Sequence, residues 1–166
     1  MMICKTLQNV CLKSDKGRAL LTSVIAALVG MTAVFFTALP SMAHSGATGI
    51  VKERMDRFKA SQDAMKVIAN ALPTSDFESI GENAAMIEAW AREMVSYFPE
   101  GSNDAPSEAR DAIWQRPDAF TAAAAANAEA ALRLQVLAID EDTDAMPDAF
   151  RALAATCKSC HKQFRQ

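Results

Sequence analysis

Cys157, Lys158, Ser159, Cys160 and His161 stand close together near the end of a 166-residue chain. Two thiols at this interval, followed at once by an imidazole, suit one chemistry closely. Each thiol can add across a vinyl group of a porphyrin, and the adjacent imidazole then reaches the iron from the face that the peptide covers. The expected product is a c-type haem held covalently through Cys157 and Cys160, with His161 as axial ligand. On a helix, positions i, i+3 and i+4 share a face, so all three residues would address a flat ligand from one side.

Other uses of these residue types need other surroundings. A structural zinc site wants four ligands, yet apart from the leader described below the chain offers only Cys157, Cys160, His161 and His44, a set poorly placed for a closed site. A thioredoxin-like redox pair would stand at a strand-to-helix junction, whereas the sequence upstream reads as helix. A chance occurrence of the five residues is the remaining reading.

Residues 1–43 read as an address. Lys5, Lys13, Lys16 and Arg18 precede an apolar run from Ala19 to Pro40, and Ser41-Met42-Ala43 matches a small-residue cleavage site, which places the cut after Ala43. A run of this length also leaves an uncleaved membrane anchor open as the alternative. Either way the remaining domain, 44–166, is exported, and the expected location is the periplasm. Once cleaved, it would have no stable insertion in a membrane.

Cys4 and Cys11 fall in the leader, so Cys157 and Cys160 are the only thiols of 44–166 and no pair is spare for a structural disulfide. An exported domain without disulfides gains from a covalently held apolar macrocycle, which adds buried surface. Removing the four basic residues and Asp15 of the leader from 17 Lys+Arg and 20 Asp+Glu leaves 13 basic against 19 acidic residues. That acidity argues against nucleic acid and anionic lipid as partners, and it suits either docking to a basic redox protein or ordinary solubility.

The elements that must position the motif are legible as apolar stripes. Val51, Met55, Phe58, Met65, Ala69 and Leu72 recur at alternating steps of four and three, with Gln62 in the missing slot, and predict a helix that stops at Pro73. Ser75 and Glu78 form a capping-box pattern ahead of a second stripe, Ile80, Ala84, Ile87, Ala91 and Met94. Phe98 to Pro106 breaks the pattern and reads as a surface connection, with a short helical turn expected from Ser107. Pro117 opens a third helix with stripe Phe120, Ala124, Ala131, Leu134 and Ala138, Asn127 filling the remaining slot, and Asp140 to Asp144 mark its end. The last helix begins near Pro147 and carries Met146, Phe150, Leu153, Cys157, Cys160 and Phe164 on one line. No segment alternates with period two. The expected fold is all-α: an antiparallel four-helix bundle with the haem attached on its inner side.

On these residues the chain resembles the cytochrome c prime family. The run CKSCHKQFR, ending at Phe164 and Arg165, is similar to the family's carboxy-terminal attachment motif. Ala109-Arg110-Asp111-Ala112-Ile113-Trp114 with Phe120, and Ile50-Val51-Lys52-Glu53-Arg54-Met55 in the first helix, resemble two further family elements in the same order. The resemblance implies histidine on one haem face and a first-helix side chain on the other. In low-spin relatives that side chain is a methionine one turn beyond the position of Arg54; here Phe58 stands at the matching place.

Phenylalanine cannot ligate iron. The resemblance therefore implies a five-coordinate haem shielded by an apolar ring, while a shift in register toward Met55 or Met65 would restore a Met/His six-coordinate, low-spin electron-transfer protein as the alternative. An open apolar face admits nitric oxide and carbon monoxide, yet offers no hydrogen bond to dioxygen and no imidazole to assist peroxide cleavage, so binding and electron transfer are expected rather than enzyme activity. The resemblance also places Arg54 near a haem propionate or else in solvent, Trp114 at the haem edge or in the core, and Phe164 at the haem. Arg165 would stand one turn from His161, near the proximal face or in solvent. Met86, Met94 and Met146 are assigned to core packing. Expected partners are a periplasmic redox protein, a diatomic gas and a second copy through the first two helices; a haem-free helical domain is the reading from another class.

Overall fold

The computed structural model describes residues 46–166. The leader, its cleavage point and His44 lie outside the described residues.

Four long helices carry the domain: α1 (Gly49–Ala71), α2 (Phe77–Glu93), α3 (Pro117–Ile139) and α4 (Met146–Phe164). Short 3-10 turns, Leu72–Thr74 and Met94–Tyr97, extend α1 and α2, and a one-turn helix, Ala112–Gln115, precedes α3. Each boundary has a local cause. Pro73 ends α1, whose last regular residue is Ala71, and Pro117 and Pro147 sit at the first turns of α3 and α4, where a missing N–H costs nothing. The start of α2 differs from expectation. Asp76, not Ser75, is the cap: its carboxylate accepts from Ser79 N at 3.1 Å, while Ser75 takes a left-handed turn at φ 52°.

The core divides into two clusters that prove the antiparallel order. One joins the end of α1 (Ala64, Ile68, Ala71), the start of α2 (Ile80, Ala84, Ile87), the end of α3 (Ala131, Leu134, Ala138) and the start of α4 (Met146, Leu153). The other joins Phe58 of α1, Trp90, Ala91 and Met94 at the end of α2, Phe120, Ala124 and Ala128 at the start of α3, and Cys160 and Phe164 at the end of α4. Each fully buried Ile or Leu contributes about 1.5–3 kcal/mol. The alanines let the helices approach closely.

Three expectations need correction. On α1 the buried line is Arg54, Ala64, Ile68 and Ala71, one position off the predicted stripe, whose Val51, Met55, Phe58, Met65 and Leu72 are half-buried and whose Ala69 is exposed. Met86 is not a core residue but 43% exposed, whereas Met94 and Met146 are buried. The helical turn expected from Ser107 forms later, at Ala112–Gln115. The stripes of α2 and α3 are buried throughout.

Packing around the bundle is uneven. α2 lies closely on α3, α3 on α4 and α1 on α2, whereas α1 and α4 make little direct contact. The seam between them is flanked by the half-buried side of α1 and by the helix that carries the cysteines.

Candidate haem site

Helix α4 sets out the motif. Cys157 and Cys160 are free and half-buried, Phe164 is buried one turn further on, and His161 lies on the exposed side. The last turn is held by more than its own hydrogen bonds, because Ala109 and Arg165 form an isolated antiparallel bridge: Arg110 N donates to Phe164 O at 2.9 Å and Gln166 N to Glu108 O at 2.9 Å. The Arg165 side chain pairs with Glu108, Nε to Oε2 at 2.5 Å. Arg165 is thus exposed to solvent yet paired, and its backbone N–H donates to His161 O at 3.0 Å.

Electrostatics keep the three motif residues neutral. Burial pushes both thiols up, Cys160 to about 11 with help from neighbouring Cys157, while hydrogen bonds from Thr156 and Asn127 partly offset the rise at Cys157. Partial shielding pulls His161 below its ordinary 6.5, the charge of Arg165 adds to the fall, and Glu108 opposes it. At neutral pH the imidazole is uncharged, the form with a lone pair for a metal.

The apolar spacing alone makes Asn127 no more than a slot on a stripe. It is buried, and its Nδ2 donates to Thr156 Oγ1 at 2.8 Å and to Cys157 Sγ at 3.6 Å, so it orients the first thiol from the neighbouring helix. The one signal for it in the sequence was a polar residue on an otherwise apolar line.

Phe58 belongs to the cluster that contains Cys160, and it meets Trp90 edge-on with ring centroids 5.3 Å apart. Met55 is half-buried and belongs to neither cluster, and Met65 packs against the cluster at the other end. The structure therefore brings Phe58, Cys160 and Phe164 together and leaves both methionines apart from them. Trp114 joins the same end of the bundle, half-buried, and its Nε1 donates to Phe98 O at 3.0 Å. Arg54 is 2% exposed, which rules out the solvated position. Both of its Nη atoms are engaged by the connection after α2, so only Nε is left for a carboxylate.

A flat apolar cofactor fits these surroundings on three grounds: the seam between α1 and α4, the small residues Ala124 and Ala128 in the cluster of Cys160, and Trp90 Nε1. That indole nitrogen is buried with no acceptor among the described residues. An orphaned donor costs about 1–3 kcal/mol, which an acceptor on a cofactor would relieve.

Residues 49–165 match the family model described as Cytochrome C′. The chain belongs to the cytochrome c′ family. A cytochrome c′ of Pararhodospirillum photometricum is 36% identical over 121 residues, 70% of this chain and 95% of that one. The structure of cytochrome c prime from Shewanella frigidimarina superposes with a TM-score of 0.64 at 22% identity, covering 70% of this chain and 94% of that one. A nitric oxide complex of a cytochrome c prime mutant from Alcaligenes xylosoxidans superposes at 0.62 and 22% identity, covering 70% and 94%. These likenesses of structure show the same four-helix fold. As a cytochrome c′, the chain binds haem c, with its iron, covalently.

Proposed function

We propose that Cys157 and Cys160 form the two thioether links, that His161 ligates the iron on one face, and that Phe58 closes the other without ligating it. The protein would then be a five-coordinate cytochrome c′ that binds nitric oxide or carbon monoxide and can pass electrons. When bound, the haem supplies a redox-active iron with one open coordination position. The chain's own residues supply the rest. Asn127 orients Cys157, neutral His161 offers its lone pair, and Arg165 and Glu108 hold the last turn of α4 in place. Phe58 keeps water and polar groups from the opposite face and presents no donor of its own.

One observation carries this reading: the first-helix side chain packed on the same cluster as Cys160 is Phe58, while Met55 and Met65 lie outside that cluster. The nitric oxide complex of the Alcaligenes xylosoxidans protein supports the choice of ligand by likeness of fold. Cytochrome c′ proteins are typically periplasmic, in keeping with residues 1–43 acting as an export signal; among the described residues no helix is long and apolar enough to cross a membrane. The test is absorption and resonance Raman spectroscopy of the ferrous protein with and without carbon monoxide. High-spin, five-coordinate iron that takes up carbon monoxide is expected, and a six-coordinate, low-spin spectrum indifferent to the gas would overturn the proposal in favour of Met/His ligation. A pyridine haemochrome assay on Cys157→Ala and Cys160→Ala checks each thioether, one link being lost in each.

A further inference from the structure

A buried arginine with only neutral partners needs a reason to be there. Arg54 faces inward from the first turns of α1, and no carboxylate among the described residues lies within ion-pair distance of it. Its Nη1 donates to Tyr97 O at 3.2 Å and to Ser102 Oγ at 2.7 Å, and its Nη2 donates to Ser107 Oγ at 2.6 Å and to Ser102 O. One guanidinium thus ties down three points of the connection between α2 and the turn Ala112–Gln115. The same group lies over the Phe98 ring, 4.4 Å from its centroid.

Phe98 is the link to the site. Its ring stands 6.3 Å from Phe58 and 5.0 Å from Phe120, both edge-on, and its carbonyl accepts from Trp114. Arg54 covers one side of Phe98 and Phe58 meets another. We propose that Arg54 is the positioning residue of the distal wall: by clamping the connection at Tyr97, Ser102 and Ser107 it seats Phe98, and Phe98 holds the ring of Phe58 across the open haem face. The last step rests on the reading of Phe58 given above. In this role Arg54 touches neither the iron nor its ligand; the clamp uses its two Nη atoms and leaves Nε for a carboxylate.

Three variants of the haem-loaded protein separate the possibilities: Arg54→Ala, Arg54→Lys, and the double change Ser102→Ala with Ser107→Ala, which leaves the arginine in place. Two readouts apply, amide hydrogen exchange across 97–107 and the carbon monoxide association rate of the ferrous protein. Arg54→Ala should raise both by about tenfold, a factor that equals 1.36 kcal/mol of barrier. The serine pair should raise both severalfold, Arg54→Lys should fall between wild type and Arg54→Ala, and the iron–histidine stretch in resonance Raman should stay unchanged in all three. Should Arg54→Ala fail to fold, the serine pair and Arg54→Lys still decide the matter.

A serine pair that leaves exchange and association at wild-type values overturns the clamp, because Arg54 would then act through some other group. Faster exchange with an unchanged association rate overturns the step from the connection to the distal wall. If the wild-type protein binds no carbon monoxide, the reading of Phe58 fails and the wall with it, while hydrogen exchange still decides the clamp on its own.

Discussion

On the proposed reading, the identity of the side chain at Phe58 decides coordination. Its ring packs against Trp90 and sits with Cys160, so a flexible thioether of similar length at this position would reach the open haem face. Phe58→Met should therefore turn the spectrum six-coordinate and low-spin and weaken carbon monoxide binding by at least about tenfold, or 1.4 kcal/mol. Titration of the ferrous variant with the gas measures both. Phe58 was singled out by resemblance alone, one turn beyond Arg54 in the first-helix run, and the structure puts it on the cluster that contains Cys160. What Asn127 and Arg54 contact was not legible in the sequence. Their hydrogen-bond partners lie 29 to 53 residues away, and a single polar letter on a helix does not say whether it points to solvent or across the bundle.

At the scale of elements, caps and stripes explain most of the architecture. Asp76→Ala removes the acceptor for Ser79 N and should cost about 1 kcal/mol in denaturant unfolding. Gly81, inside α2, meets only Ala138 Cβ at 3.8 Å if a Cβ is added, so Gly81→Ala should stabilise by about 0.5–1 kcal/mol in the same assay. On the exposed side of α1, Asp63 lies between Lys59 and Lys66, and hydrogen bonds from both lower its carboxyl from 3.8 to about 2. A carboxyl lowered on folding favours the folded state above its unfolded value, and that help is lost as pH falls from about 4 to about 2. Thermal melts at low salt should show this loss, and Asp63→Asn should remove it. The lines of α2, α3 and α4 could be read from sequence because their buried positions are also their most apolar ones. On α1 the two properties part company: Met55, Phe58 and Met65 are larger than the buried Ala64 and Ala71, and the buried line begins with an arginine, so hydropathy pointed one position away.

Across the whole molecule, the two core clusters divide the work. The cluster of Ile68, Ile80, Ile87, Leu134 and Leu153 is mostly aliphatic, with Met146 inside it and Phe77 and Phe150 packed against it, whereas the cluster at the cysteine end borders the thinly packed seam between α1 and α4. The long connection over the second cluster has turns of its own, Ser102 N to Pro99 O and Ser107 N to Asp104 O, and it is tied to the helices by Arg54 at separations of 43, 48 and 53 residues and by Arg165 at 57. Contacts between parts so distant along the chain reward their loop-closure entropy only after the helices have docked. In kinetic terms the connection should be late. Ser102→Ala removes a hydrogen bond from a charged donor, about 1.5 kcal/mol. That loss should appear almost entirely as faster unfolding, with the refolding limb of the chevron unmoved and a folding φ-value near zero.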